Sequence, residues 1–132
     1  MTADSDEMHN LAGLAIDIGL GIHRELGPGL FESVYEAVLM HRLQKSGVDV
    51  QKQKSIAIIV DGITFPDAFR ADLFLNHKLL IELKSTEKIS GLHIRQTLTY
   101  VRLLNAPFGL ILNFGGMTFR EGVKRVINNH VR

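Results

Sequence analysis

Two charged residues, Glu82 and Lys84, stand in the otherwise apolar run Leu79–Lys84. In a strand, side chains two residues apart lie on the same face, about 6.6 Å apart at ~3.3 Å per residue. A run this apolar predicts a central strand that is covered on both faces. Burying an unpaired carboxylate or ammonium is costly, so a fold keeps such groups where they pair, bind a metal or catalyse. The strand is therefore interpreted as lining a functional site.

Asp72 lies on the preceding predicted strand, whose residues alternate between two faces. The turn chemistry of Asn76 and its neighbours predicts that the two strands form an antiparallel hairpin, with Asp72 opposite the Glu82 and Lys84 region. An aspartate followed ten residues later by Glu-x-Lys has the spacing of a magnesium-dependent nuclease site. These residues alone leave a second interpretation open, a buried ion pair of Lys84 with Asp72 or Glu82.

The bulk properties indicate an ordinary globular protein. The 132 residues fit a single domain spanning residues 1–132, and 45% hydrophobic with 22% charged residues excludes a largely disordered chain. With no cysteine, disulfides, thiolate zinc sites and cysteine nucleophiles are excluded, which agrees with a cytoplasmic location. No apolar stretch reaches 18 residues, so we expect no membrane role.

The formal net charge of +1 is too small for a protein that coats nucleic acid by charge alone. Any such binding must use a local basic patch. The sequence offers three candidate groups: Lys45, Lys52 and Lys54; Arg95 and Arg102; Lys124 and Arg125. Each of them could also be ordinary solvated surface.

The pattern of apolar residues and breakers predicts an α/β fold. The expected elements are helices over residues 8–26 and 30–46, strands near 48–52 and 56–60, the Asp72 and Glu82 strands, a helix over 92–104, a strand Phe108–Asn113 and a closing helix over 121–131. Glu32 and Glu36 lie one turn apart on a shared flank of the second helix. This order predicts a mostly mixed sheet flanked by helices, in which the strand after the third helix joins a central strand in parallel.

Several short motifs occur together along the chain. They are Gly29-x-x-Glu32-x-x-Tyr35, the Phe-Arg-Ala-Asp stretch that ends at Asp72, the Glu-Leu-Lys of residues 82–84, His93-x-x-Gln96, Gln96-x-x-x-Tyr100, the Leu-Asn-Phe-Gly of residues 112–115, and Lys124-Arg125. Together, over residues 16–127, they resemble the GxxExxY proteins of the PD-(D/E)XK nuclease superfamily.

The resemblance implies a restriction-endonuclease-like PD-(D/E)XK core, a mixed sheet flanked by helices. It further implies that Glu32, Asp72 and Glu82 lie around one divalent-metal pocket, with Lys84 beside it. The ion would be Mg²⁺ or Mn²⁺, held by oxygen ligands that include a backbone carbonyl near Leu83.

The resemblance also implies roles for residues at the edge of this site. Gln96 and Tyr100 lie four apart on one face of the third helix, within reach of the Lys84 region or a nucleic-acid backbone. A core aromatic is the alternative for Tyr100. His93 is a candidate at the site edge, and Tyr35 is expected to support the glutamate helix rather than to react.

These observations predict a divalent-metal-dependent phosphodiesterase that hydrolyses DNA or RNA, with Glu32, Asp72, Glu82, Lys84 and Gln96 as its catalytic set. The alternative is a catalytically inactive module that keeps the nuclease fold to bind nucleic acid or a protein partner. The small size and near-neutral charge also favour a homo-oligomer or protein partner that completes the substrate groove.

Overall fold

The computed structural model describes residues 3–129 as three helices and five strands, with one short 3-10 turn. In chain order these are α1 Ala3–Leu26, α2 Glu32–Lys45, β1 Val50–Val60, β2 Ile63–Leu75, β3 Leu79–Lys84, α3 Gly91–Leu103, β4 Phe108–Asn113, the turn Arg120–Gly122, and β5 Val123–Ile127. Within this part of the chain, none of the helices has the length and apolar character needed to cross a membrane.

The strands form one mixed sheet in the order β1-β2-β3-β4-β5. Neighbouring strands are antiparallel except β3 and β4, which run parallel with α3 between them in the chain. The predicted mixed sheet with flanking helices is thus confirmed, as is the parallel addition of the strand that follows the third helix.

Two hairpin turns are present, the second at the predicted position of Asn76, and their backbone conformations explain the turn residues. Asp61 and Gly62 connect β1 to β2 with φ of 52° and 76°. Asn76, His77 and Lys78 connect β2 to β3, and the first two of them have φ of 51° and 57°. Positive φ at both central residues gives a turn that matches the twist of its flanking strands. The hairpin therefore carries Asp72 towards Glu82, as predicted.

The β1-β2 hairpin is much longer than the strand beside it. β2 pairs with β3 only from Leu73 to Leu75, whereas its pairing with β1 continues to Ile63. Residues 54–71 therefore extend past β3 as a two-stranded ribbon. Three apolar side chains near its tip are exposed: Ile59 at 72%, Val60 at 46% and Ile63 at 57%.

The central strands β3 and β4 are buried almost throughout, with only Lys84 partly exposed. This confirms a central strand covered on both faces. Apolar residues of α1 and α2 pack against these strands in one hydrophobic cluster, including Ala12, Ala15, Ile22, Leu39 and Leu43. The charged pair of β3 is therefore held in a rigid framework.

The prediction of a closing helix over residues 121–131 is wrong for the residues that the structure describes. Residues 123–127 form β5, antiparallel to β4, and residues 130 and 131 lie outside the described part. Val123, Val126 and Ile127 have helical spacing, but they are β-branched and fit a strand better. Pairing with the otherwise open edge of β4 decides between the two. The two short strands predicted before Asp61 are also one continuous strand, β1.

Candidate active site

The site begins where β2 and β3 part. Their last paired residues on this side are Leu73 and Ile81, so the next residues, Asp72 and Glu82, lie where the ladder has ended. The Asp72 N–H donates a hydrogen bond to Glu82 Oε2 at 3.2 Å, and the Leu83 N–H donates to Asp72 Oδ2 at 2.8 Å. Each carboxylate thus takes a backbone donor on the opposite strand. The exchange holds the two carboxylates side by side.

Glu82 is only 7% exposed, and its pKa is raised to about 9. Burial is the largest cause, followed by the negative charge of Asp72 and a hydrogen bond to the Asp72 side chain. The hydrogen bond from the Asp72 N–H, and after it the positive charge of Lys84, oppose the rise in the pKa of Glu82. Near neutral pH the Asp72 and Glu82 pair therefore retains a proton, which a cation between the carboxylates would displace.

Lys84 is half-buried at the end of β3, beside this pair. Over residues 3–129 it forms no ion pair with Asp72, Glu82 or any other carboxylate. The buried ion pair that the sequence left open is therefore absent from the described structure. Its ammonium group is left with its hydrogen-bond donors available at the site.

A second glutamate of α2, Glu36, joins the site, although the resemblance implied this role for Glu32. Glu36 is 6% exposed, and its pKa is raised, first by burial and then by the charge of Asp72. Gln53 Nε2 donates to Glu36 Oε2 at 3.1 Å and lies 3.4 Å from Asp72 Oδ1. Gln53 thereby connects α2 to the carboxylate pair.

Glu32 occupies the first position of α2 and is exposed. It influences the site through its charge, which contributes to the raised pKa of Glu36 one turn later. Its spacing from Glu36 was the signal in the sequence that could have identified the second glutamate. No local signal pointed to Gln53, whose φ of 51° is unusual for a residue other than glycine.

Tyr100 and Gln96 of α3 border the site. The pKa of Tyr100 is raised, first by burial and then by the negative charge of Glu82, while a hydrogen bond to Gln96 opposes the shift. The Tyr100 ring also stacks on Phe69 of β2, with centroids 4.1 Å apart and planes 5° apart. Tyr100 is thus both a packed aromatic and a neighbour of the carboxylates, and Gln96 is exposed beside it.

His93 and Tyr35 have positions that explain their motifs structurally. His93 completes a capping box at the start of α3: its N–H donates to Ser90 Oγ at 3.2 Å, and its Nδ1 accepts from the Ser90 N–H at 3.3 Å. Tyr35 is fully buried, and its hydroxyl donates to the Gly27 carbonyl at 2.6 Å and accepts from the Leu30 N–H at 3.2 Å. It fixes the loop that leads into α2.

The donor set suits a hard divalent cation. Mg²⁺ commonly takes one or two carboxylates and keeps several waters, and Asp72 and Glu82 supply two adjacent carboxylates. Among residues 3–129 no three histidine, aspartate or glutamate side chains are gathered closely enough to form a complete metal cage. Leu83, predicted to contribute its carbonyl, contacts the Asp72 carboxylate through its N–H. The pair fits an ion that retains water.

The basic residues named from the sequence lie in different surroundings. Lys52 lies on β1 near the site, where its charge lowers the pKa of Glu36. Arg95 and Arg102 are exposed on α3. Arg125 instead lies over the Phe108 ring, 5.2 Å from its centroid, and contacts His9. Only part of the basic surface is therefore close to the carboxylates.

Together, the order of elements, the parted strands and a carboxylate pair beside a lysine define an α/β protein whose Asp72 and Glu82 could hold a divalent cation. The chain belongs to the PD-(D/E)XK nuclease superfamily, whose sequence model matches residues 9–126. Proteins of this superfamily generally use divalent metals, and membership suggests nuclease activity and nucleic-acid binding in general. No curated protein matches the chain.

Among solved structures, the chain is similar to the crystal structure of SSO0001. The two share 20% sequence identity and a TM-score of 0.51, over 74% of this chain and 50% of that one. The chain thus spans about half the length of SSO0001. At this identity the likeness supports the fold alone.

Proposed function

We propose that the chain is a divalent-metal-dependent phosphodiesterase that hydrolyses DNA or RNA, of the GxxExxY type. The observation that carries the proposal is the Asp72 and Glu82 pair, held by reciprocal backbone hydrogen bonds where β2 and β3 part. A purely structural site would pair Lys84 with one of these carboxylates, and the described structure has no such ion pair. A lysine that makes no ion pair with the described carboxylates suits an anionic substrate.

In this proposal Asp72 and Glu82 hold Mg²⁺ or Mn²⁺, with the Leu83 carbonyl as a further ligand. Such an ion neutralises phosphate charge and supplies a nucleophile near neutral pH. Lys84 stabilises the negative charge that develops on the scissile phosphate. Glu36 adds a third carboxylate, which Gln53 connects to Asp72, and the exposed Glu32 binds a second ion.

The residues at the rim complete the proposed mechanism. Gln96 donates a hydrogen bond to the nucleic-acid backbone, and Tyr100 lies one turn from it on the same face of α3. His93 fixes the start of the helix that carries both, through its capping box with Ser90. Tyr35 holds the loop before α2, and with it the position of Glu32 and Glu36.

The proposal is tested by separating metal binding from cleavage. Asp72→Asn should largely abolish Mn²⁺ binding measured by calorimetry, because it removes the charge of one of the two carboxylate ligands. Lys84→Ala should bind Mn²⁺ nearly as well as the wild type. It should cleave labelled DNA and RNA more slowly by about two orders of magnitude, as expected when a transition-state donor is lost.

Lys124→Ala, at an exposed lysine of β5, is the control and should cleave like the wild type. All variants are prepared identically and assayed on single-stranded and duplex DNA and RNA. If the wild type binds Mn²⁺ but cuts none of these substrates, the hydrolase assignment is wrong and the inactive binding module takes its place. Equal cutting by wild type and Lys84→Ala would indicate a contaminating nuclease.

A further inference from the structure

Phe31 departs from two local rules at once. Its side chain is 83% exposed, although a large aromatic ring normally buries much of its surface. It also occupies the N-cap of α2, and no side chain caps that helix. Serine, threonine, aspartate and asparagine are the residues that stabilise this position. Sequences that break such rules tend to do so at functional sites.

The backbone beside Phe31 is held firmly. The preceding residue, Leu30, donates its N–H to the Tyr35 hydroxyl at 3.2 Å. Its carbonyl accepts a hydrogen bond from Ser85 Oγ at 2.7 Å. The Val34 N–H donates to the Phe31 carbonyl at 3.0 Å. The exposed ring therefore projects from a fixed backbone, which reduces the entropy lost when a ligand packs against it.

The same contacts connect Phe31 to the candidate active site. Ser85 directly follows Lys84, so the Ser85 contact places Leu30 beside the end of β3. On the other side, the helix that begins after Phe31 carries Glu36, which reaches Asp72 through Gln53. Phe31 consequently lies at the rim of the site.

The surroundings of Phe31 are apolar and negatively charged. Leu30 and Val34 are 41% and 39% exposed, and with Phe31 they form a small apolar surface, which we call the Phe31 platform. Glu32 is adjacent and exposed. A phosphate would be repelled by this carboxylate, whereas an uncharged planar ring would not. A nucleobase is such a ring, and stacking on an aromatic side chain accepts any base.

Resting on the proposed function, we propose that Phe31 stacks on an unpaired nucleobase of the strand whose phosphate enters the carboxylate site. Bases inside a duplex already have both faces covered by their neighbours, so they cannot use the platform without unstacking. The substrate class is therefore nucleic acid that is single-stranded, or has an unpaired nucleotide, next to the bond that is cut.

The test uses the absence of tryptophan from this sequence. Phe31→Trp creates one fluorescent reporter on the platform. In a Lys84→Ala background with Mn²⁺, titration with a single-stranded oligonucleotide should quench its emission, and titration with a blunt duplex should not. Ile59→Trp is the matched control, because Ile59 is 72% exposed at the ribbon tip, and its emission should not respond. Gels taken after each titration verify that the strands are intact.

Affinity provides the second measurement. Phe31→Ala should weaken single-strand binding about 5- to 140-fold, the range for losing one base stack, and leave duplex binding unchanged. Phe31→Tyr should bind like the wild type. Phe31→Ser should also bind weakly, yet its melting temperature should equal or exceed that of the wild type, because serine can cap α2. That variant separates lost stacking from lost folding.

The outcomes distinguish the two proposals. If the wild type cleaves but Phe31→Ala binds single strands equally well, stacking is wrong and the hydrolase assignment stands. If Phe31→Trp is quenched but no substrate is cut, stacking stands and the hydrolase assignment is wrong. Should wild-type protein form an oligomer on size-exclusion chromatography that Phe31→Ala does not form, the platform contacts a second copy and the stacking proposal is overturned.

Discussion

At the scale of single residues, Glu82 lowers the stability of the fold when it is ionised, yet the proposed metal site needs its carboxylate. Its pKa of about 9 lies above its ordinary value of 4.5, so between these values the folded protein holds a proton that the unfolded chain has released. The stability contributed by protonated Glu82 is complete below about pH 4.5 and is lost as the pH rises towards 9. A fold that only needed stability would not keep this carboxylate.

Thermal melts of the metal-free protein should therefore show a falling melting temperature from pH 5 to pH 9. Glu82→Gln should flatten this dependence and melt higher than the wild type at pH 8, because the amide carries no charge to bury. Mn²⁺ should stabilise the wild type by mass action but not Glu82→Gln. Asp17→Asn, at an exposed aspartate of α1, is the control and should keep the wild-type pH dependence. A flat profile for the wild type would contradict the prediction.

Much of the site could be predicted at this scale, because its signals are local. Two-residue alternation placed Glu82 and Lys84 on one face, and one turn placed Asp72 opposite them. Glu36 and Gln53 could not be assigned in the same way. Whether Glu32 or Glu36 reaches Asp72 depends on how α2 lies across the sheet, and Gln53 takes a positive φ that its residue type does not indicate.

At the scale of elements, the Tyr35 hydroxyl is what fastens α2 to the loop before it. Tyr35→Phe should lower the free energy of unfolding by about 1–2 kcal/mol, because the Gly27 carbonyl and the Leu30 N–H lose their partner. The ring should remain stacked on Phe114, whose centroid is 4.6 Å away. Denaturant titration measures the loss, and faster hydrogen exchange at the Leu30 amide locates it.

Tyr100→Phe is the natural control, since Tyr100 is the second of only two tyrosines. Its hydroxyl lies near the negative charge of Glu82, so its removal should cost less than removal of the Tyr35 hydroxyl. Equal stability of Tyr35→Phe and the wild type would show that the hydroxyl does not hold the loop.

The helices and strands could be predicted where the spacing of apolar residues and the positions of turn-forming residues indicate the same bounds. Phe108–Asn113 is a strand with the expected bounds, and the turn between β2 and β3 occurs at Asn76 as expected. The error at β5 has a different origin. The apolar residues at positions 123, 126 and 127 have the spacing of a helix, whereas the open edge of β4 that selects a strand is a tertiary feature.

At the scale of the whole molecule, the net charge of +1 restricts how nucleic acid can be bound. Attraction must come from basic residues near the carboxylates rather than from the overall field. The charge of Lys52 lowers the pKa of Glu36, and Lys54 lies two residues later at the base of the ribbon. Lys45 lies nine residues beyond Glu36 on α2, about 13 Å along the helix axis, and so belongs to the other end of that helix.

This distribution predicts a shallow and localised salt dependence of binding. For a single-stranded oligonucleotide, each neutralised phosphate contributes about −0.7 to the slope of log K against log salt. Replacing Lys52 and Lys54 together by alanine should therefore reduce the slope by about 1.4. The double substitution Lys45→Ala and Lys124→Ala removes the same charge and should leave the slope unchanged. Fluorescence anisotropy in the Lys84→Ala background, over a series of salt concentrations, gives both slopes. Equal reductions by the two pairs would mean that the whole surface, rather than the base of the ribbon, attracts the strand.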